Sequence, residues 1–531
     1  MTDIDRQPTQ MTHRQILVVL TGLMLGLFLA ALDQTIVATA LPTIVGEFGG
    51  LDHLSWVVTA YLLASTVTSP LYGKISDLYG RKVVFQTAIG LFLAGSILCG
   101  FSQNMTQLIS FRAVQGLGAG GLIVMALTII GDVVSPRERG RYQGYFGAVF
   151  GLASIAGPLL GGWFVDNLSW RWVFYINLPL GLVALFVTAT VLNIPFHRRD
   201  HKIDYPGAGL LVGGVSSLLL VTVWGGREYE WGSPLMITLA IVGLALIGLF
   251  LWWEVRTPEP ILPLRLFRDR TFALTSGAGF VVGLAMFGGI IFLPLFLQIV
   301  VGASATNSGL LLLPMMAGII GMSVTSGRLI SRTGRYKIYP VVGTLLASLA
   351  LFLLSTMGVG TTLPIASVYM LILGAGLGLV MQVLVLAVQN SVEPRDLGVA
   401  TSASTFFRSL GGSFGTALFG AIFTSQVAAN IARNLPGADL GGTDLTSSPG
   451  VIAQLPEGVR AGVIQAFADS TSTVFLAAVP FAIVAFVVVL LLPELPLRSS
   501  SHVMGGGPGA QPPVGPAMAE GADGLVAEGA E

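Results

Sequence analysis

One cysteine, Cys99, is present in 531 residues, so neither an intramolecular disulfide nor a cysteine metal cluster can form. It falls in an apolar run and reads as a small packed residue. Charged residues make up only 10% of the chain, too few to coat a soluble fold of this length. The 27 Lys and Arg balance 27 Asp and Glu, so net charge says nothing about partners, and no segment interleaves basic with aromatic residues as nucleic-acid surfaces do. A Gly-x-x-x-x-Gly-Lys-[Ser/Thr] phosphate loop is missing, which argues against a nucleotide as energy source. No His, Cys or Ser constellation sits at the depth of an apolar run, so neither enzyme chemistry nor a metal or other cofactor is expected.

What the chain has in abundance is apolar length. Hydrophobic residues reach 53% and the mean hydropathy is +0.80. About fourteen runs of roughly 20 residues, each long enough to cross a hydrocarbon core as a helix, lie between residues 15 and 492. The first follows a basic start but is too long for a cleavable signal, and it carries Asp33 and Pro42 where such a segment would end. Most Lys and Arg fall in alternate loops, which predicts a multi-pass protein of the plasma membrane with both termini cytoplasmic.

Inside these runs polarity is rare. Asp33 is the one acid within them, and an acid at membrane depth is a functional-site hypothesis by default. Burial raises a carboxyl pKa and a nearby cation lowers it, so an acid whose surroundings change between two openings can take up and release a proton. The competing account is a permanent ion pair that fixes packing. Arg112 cannot shed its charge and must find a carboxylate, carbonyls or water; Asp33 is the available carboxylate, so Arg112 is expected to face the first helix. Arg408 has no intramembrane acid in its own half, which leaves a structural role and a substrate role open. Gln115, Asn177, Gln298, Asn307, Gln382 and Gln389 either line a cavity or make interhelical hydrogen bonds of about 0.6 kcal/mol each.

The chain also repeats itself. Gly73, Gly80 and Arg81 recur as Gly327, Gly334 and Arg335 at an offset of 254. Pro136, Arg137, Gly140, Gly118 and Gly157 recur as Pro394, Arg395, Gly398, Gly376 and Gly415 at an offset of 258. Duplicated helical halves are the usual build of secondary transporters. The expected architecture is therefore an all-α membrane protein of two six-helix bundles related by pseudo-two-fold symmetry plus two inserted helices. Residues 1–195 form the first bundle, 196–271 the inserted pair and a cytoplasmic connector, and 272–497 the second bundle with an outer loop at 426–471. Residues 498–531, rich in Gly, Pro and Ala, are expected to be a disordered cytoplasmic tail.

In this order the motifs resemble the major facilitator superfamily, specifically its fourteen-helix drug:proton antiporter branch. The resemblance runs to about Pro493 and rests on five stretches: Leu32 to Pro42, the loop from Gly73 to Lys82, Arg112 to Gly120, the glycines of 147–162, and Trp170 to Pro179. It implies that Asp33, tuned by Arg112, couples transport to protons. It implies that Gly73, Asp77, Gly80, Arg81 and Lys82, with Asp132, Arg137 or Arg141, form a cytoplasmic ion-pair latch, although exposed pairs contribute only about 0 to 1 kcal/mol each. It also implies that Gly147, Gly151, Gly157, Pro158, Gly161 and Gly162 form the antiporter helix that seals the pathway; their spacing alone predicts pliable packing along one helix side.

The expectation is a proton-coupled exporter of hydrophobic organic compounds, a drug or antibiotic efflux protein whose partners are a small-molecule substrate, protons and the lipid bilayer, with no nucleic acid or nucleotide. Because Asp33 is the single membrane carboxylate, neutral or monocationic substrates are favoured. A dedicated exporter or importer of a metabolite or lipid on the same fold is the first competitor, and a non-transporting receptor or scaffold the second.

Overall fold

A computed structural model describes residues 13–48, 54–192, 203–226, 228–303, 305–435, 452 and 455–497. The expected tail at 498–531, the middle of the loop at 426–471, and Arg198, Arg199 and Lys202 lie outside the described residues. Apart from one bridge between Gly225 and Tyr229, the described regular structure is helical. That is what apolar surroundings demand, since a helix satisfies its own backbone donors and acceptors.

The first part of the chain contains α1 (His13–Phe48), α2 (Leu54–Tyr79), α3 (Arg81–Phe101), α4 (Met105–Val133), α5 (Pro136–Asn167), the short α6 (Trp172–Tyr175) and α7 (Asn177–Val191). Two helices follow, α8 (Tyr205–Trp224) and α9 (Pro234–Glu254). The last part contains α10 (Arg270–Ile299), α11 (Ala305–Leu311), α12 (Leu313–Thr333), α13 (Ile338–Leu354), α14 (Leu363–Ser391), α15 (Leu397–Asn434) and α16 (Glu457–Leu490). Side-chain caps start several of them: Asn104 accepts the Gln107 N–H at 2.9 Å, and Asp269 accepts the Phe272 N–H at 2.7 Å. Twelve helical segments among the described residues are long and apolar enough to cross a membrane. Outside those twelve stand α13, apolar but only 17 residues long, and α2, which carries Pro70, Lys74 and Asp77.

Two apolar cores organise the molecule. One, containing Leu23, Phe85, Phe92, Leu122 and Phe146, is built from α1 to α5 and α7. The other, containing Phe292, Leu351, Leu373, Phe419 and Phe475, is built from α10 and α12 to α16. A third cluster joins α8 and α9 to both, since Leu211, Leu219 and Phe250 pack with Val67 of α2, Phe272 of α10 and Ala403 and Phe406 of α15. Of the inserted pair, α8 lies along the seam where α2 meets α15, and α9 packs on α8.

The repeat has a geometric signature. Gly80 and Gly334, equivalent by sequence offset, both turn the chain with positive φ, 90° and 73°, a conformation that favours glycine. Gly73 of α2 packs on Ser402 and the Gly398 carbonyl of α15, while Gly327 of α12 packs on the Gly140 carbonyl of α5. Gly327 is the repeat of Gly73, and Gly398 is the repeat of Gly140. Each glycine therefore meets the equivalent of the other's partner, as a two-fold relation between halves produces. Both contacts close the same end of the molecule, the one that carries Arg81, Arg137 and Arg332. In a Cys99→Ala background, Gly140→Val should wedge α5 from α12 here, and maleimide labelling of Ser323→Cys should accelerate about tenfold. An unchanged labelling rate would show that this seam does not depend on the glycine.

Candidate functional site

Asp33 of α1 is fully buried, and its carboxylate is coordinated from three directions. Arg112 of α4 pairs with Oδ2 at 2.5 Å, while Oδ1 accepts from Gln115 Nε2 at 2.7 Å and from Asn177 Nδ2 of α7 at 3.1 Å. Ser96 of α3 ties the last two together, accepting from Gln115 at 2.7 Å and Asn177 at 2.9 Å. Arg112 has further support: Nη1 donates to Gln115 Oε1 at 2.7 Å and Nε to the Val57 carbonyl of α2 at 3.2 Å. Its guanidinium also lies 4.2 Å from the Tyr61 ring centroid. Helices α1, α4 and α7 thus meet at the carboxylate, and α2 and α3 brace the side chains that hold it. They approach closely because Gly95 of α3 meets the Gln115 backbone where any Cβ would collide, and Gly116 does the same against Tyr61 of α2.

Arg112, Gln115 and Asn177 all belong to the sequence-derived candidates, and the fold brings them together. Tyr61, Ser96 and the Val57 carbonyl were missed, because a hydroxyl, a phenol and a backbone oxygen in apolar helices carry no sequence signal. The string from Trp170 to Pro179 also gains a physical account. Trp170 Nε1 donates to Glu47 at 2.6 Å, Arg171 pairs with the same carboxylate at 2.9 Å, and Asn177 reaches Asp33. The Trp170 indole and then Arg171 hold the Glu47 carboxyl below its ordinary value, so this clasp persists above the normal carboxylate range and is lost only on stronger acidification.

At the closed end, Arg81 pairs with Asp77 at 2.6 Å and Asp132 at 2.7 Å, and it also donates to Ser76. Asp77 lies against Gly398 in the first turn of α15, where backbone N–H groups and the helix dipole favour an anion. The expected latch members do not all meet. Lys82 turns away to the Ala189 carbonyl at 2.6 Å, and Arg141 is exposed. Arg137 reaches across the seam instead, donating to the Ser331 and Arg332 carbonyls at 3.3 and 3.5 Å, near the C-terminal end of α12. Arg139, buried and unflagged in sequence, fastens α5 to the end of α4 through the Val134 carbonyl at 2.7 Å and the Gly131 carbonyl.

The glycines of α5 serve two neighbours rather than one side. Gly147 and Gly151 pack on Ser323 and Ile320 of α12, whereas Gly157 and Gly161 pack on Thr35 and Thr39 of α1. Pro158 faces Gly309 of α11, and a side chain at Gly162 would meet open space among the described residues. The remaining polar candidates scatter. Gln298 donates to Ser308 at 3.0 Å, Asn307 is exposed, and Gln389 bridges from α14 to the Leu127 carbonyl of α4 at 2.9 Å and Thr401 of α15 at 3.2 Å. Gln382 and Arg408 are partly buried.

A charge network sealed inside one helical bundle, joined by glycine seams to a second, describes a polytopic transporter. Residues 23–416 match the sequence model of the Major Facilitator Superfamily, and the chain belongs to that superfamily: it is a secondary transporter of small molecules, not an enzyme. An uncharacterized MFS-type transporter of Mycobacterium tuberculosis (strain ATCC 25618 / H37Rv) is 46% identical over 482 residues, 90% of this chain and 70% of that protein. The multidrug transporter protein MdtP of Bacillus subtilis (strain 168) is 44% identical over 409 residues, 77% of this chain and 75% of that protein. The solved structure of the human organic anion transporter MFSD10 (TETRAN) superposes with a TM-score of 0.60 over 88% of this chain and 99% of that one; at 16% identity the likeness is one of fold.

The buried pair makes a direct prediction about stability. Arg112→Gln strands a buried carboxylate and Asp33→Asn strands a buried guanidinium, so each should cost about 3 to 5 kcal/mol. The double variant Asp33→Asn/Arg112→Gln should recover much of either loss. Thermal unfolding of detergent-purified variants checks this, and a double variant no more stable than either single one would refute the account.

Proposed function

We propose that this chain is a proton-coupled antiporter that exports hydrophobic organic compounds across the plasma membrane. In this reading α2 and α13 complete fourteen spans, arranged as two six-helix bundles with α8 and α9 inserted between them, and both termini are cytoplasmic. The observation that carries it is the buried carboxylate of Asp33 inside an apolar span, held by side chains of α4 and α7 that a helix movement can rearrange. The kinship with a multidrug transporter gives the direction its support.

The chemistry follows from the contacts. With Asp33 ionised, Arg112 is neutralised and the network is closed. Protonation of Asp33 removes the partner charge but leaves Arg112 its bonds to Gln115, the Val57 carbonyl and the Tyr61 face, so the arginine need not move when the proton arrives. The loosened α1 can then shift against α4 and α7. Asp77, held by Arg81 against the start of α15, and Arg137 on the end of α12 keep the basic end shut while the opposite end exchanges substrate and protons; rocking of the bundles parts these contacts. A membrane potential of about 150 mV supplies about 3.5 kcal/mol per proton, enough for a few-hundred-fold gradient without a nucleotide. The preference for a monocation loses its basis, because the charge of Asp33 is already taken by Arg112.

Inverted membrane vesicles energised to acidify their interior test this reading with a panel of hydrophobic dyes. Wild-type protein should accumulate dye inside, and both an uncoupler and Asp33→Asn should abolish the accumulation. Undiminished accumulation by the Asn variant would end the coupling role, and uptake only into right-side-out vesicles would establish import.

A further inference from the structure

We infer that Arg408 of α15 and Gln382 of α14 form an anion-accepting subsite, and that the transported compounds include amphipathic organic acids carrying a carboxylate or sulfonate. The inference rests on the exporter reading and narrows its substrate class.

Charge accounting comes first. Asp33 is paired with Arg112, Asp77 and Asp132 share Arg81, Glu47 holds Arg171, and Asp396 holds Arg265 at 2.7 Å. Among the described residues none of these acids is left for Arg408, which enters no hydrogen bond or ion pair. Arg408 is therefore a cation inside an apolar helix with no counter-charge among the described residues. Such a charge at this depth marks a substrate or ion pathway more readily than it contributes to packing.

Register supplies the second argument. Gln389 donates to Thr401, pinning antiparallel α14 and α15 side by side, and the same amide donates to Leu127 of α4, so this face looks toward the other half. Leu397, on the same face of α15, packs where Gly131 of α4 leaves room. Arg408 lies seven residues beyond Thr401, and Gln382 seven before Gln389, so both fall on that face and at one level, about 10 Å further from the closed end. Gly283 of α10 accommodates the Arg408 carbonyl, and the open position at Gly279 lies 3.9 Å from its Cβ.

Gln382 provides the third. Its Oε1 is buried without a partner; turned over, the same amide aims its Nε2 donors at that position, where the oxygens of an acid group would accept them. A Gln amide presents a donor or an acceptor according to which end turns inward, and a guanidinium presents a planar fork matched to two oxygens of one acid group. Segments 278–286 of α10 and 377–385 of α14 carry no ionisable side chain, so the rest of the ligand would meet apolar walls.

Fluorescence anisotropy of purified full-length protein, titrated with anionic fluorescein and monocationic rhodamine 6G on the same xanthene frame, tests the subsite without requiring transport. The anion should bind at least about tenfold more tightly than the cation. Arg408→Gln should weaken anion binding about tenfold or more while leaving rhodamine unchanged or tighter, Arg408→Lys should restore part of the loss, and Gln382→Ala should weaken the anion selectively. Equal binding of the two dyes, or equal loss of both in Arg408→Gln with no rescue by Lys, would overturn the inference. Asp33→Asn separates the two readings: anion binding retained while vesicle transport is lost supports both. Charge-selective binding with no proton-driven transport in wild type leaves the subsite standing and removes the exporter. Proton-driven export of rhodamine but not fluorescein does the reverse.

Discussion

The ion pair between Asp33 and Arg112 is the constraint around which the first half is arranged. Each charge alone would be prohibitive in this interior, and together they are tolerable only if every remaining lone pair and proton finds a partner. That requirement reaches outward through Gln115, Asn177 and Ser96 to α3 and α7, and through Val57 and Tyr61 to α2. Satisfying it fixes the register of five helices. It also explains why glycine stands at 95 and 116, where the helices must touch for short side chains to reach the carboxylate.

The second half answers to a different rule. It holds no comparable network among the described residues, and its helices are matched by small residues and aromatic contacts such as Phe292 with Phe423 and Phe419 with Phe481. An asymmetry follows: one half buries a neutralised ion pair, and the other holds a cation, Arg408, with no counter-charge among the described residues. In the proposed reading, proton and substrate each meet their own group and do not compete for one side chain.

Closure between halves relies on backbone proximity more than on charge. Gly73 against Gly398 and Gly140 against Gly327 bring main chains together over small areas, and the ionic contacts that guard them lie at the helix ends. The Arg137 contact is exposed and exchanges readily with water, whereas Arg81 with Asp77 and Asp132 is largely buried and stays within the first half. The inserted α8 overlays the α2 and α15 seam, with α9 packed on it, so movement there also moves their shared apolar cluster.

Much of this was legible in the residues. Apolar run length dictated helices, the glycine offsets exposed the duplication, and the isolation of Asp33 and Arg112 in apolar runs required them to find each other, since neither has another intramembrane counter-charge of its own half. Other parts were not legible. Ser96, Tyr61 and Arg139 matter through distances that depend on how helices cross, and crossing is set by the packing of whole surfaces rather than by any local pattern. The latch was over-assigned for the same reason: Lys82 and Arg137 read as equivalent cations in the chain, yet helix orientation sends one to α7 and the other to α12. Sequence alone thus determined that a charge is buried and that two like halves enclose it; which atoms surround that charge, and which cation remains unanswered, was decided by the fold, because counter-charges are matched in space and not along the chain.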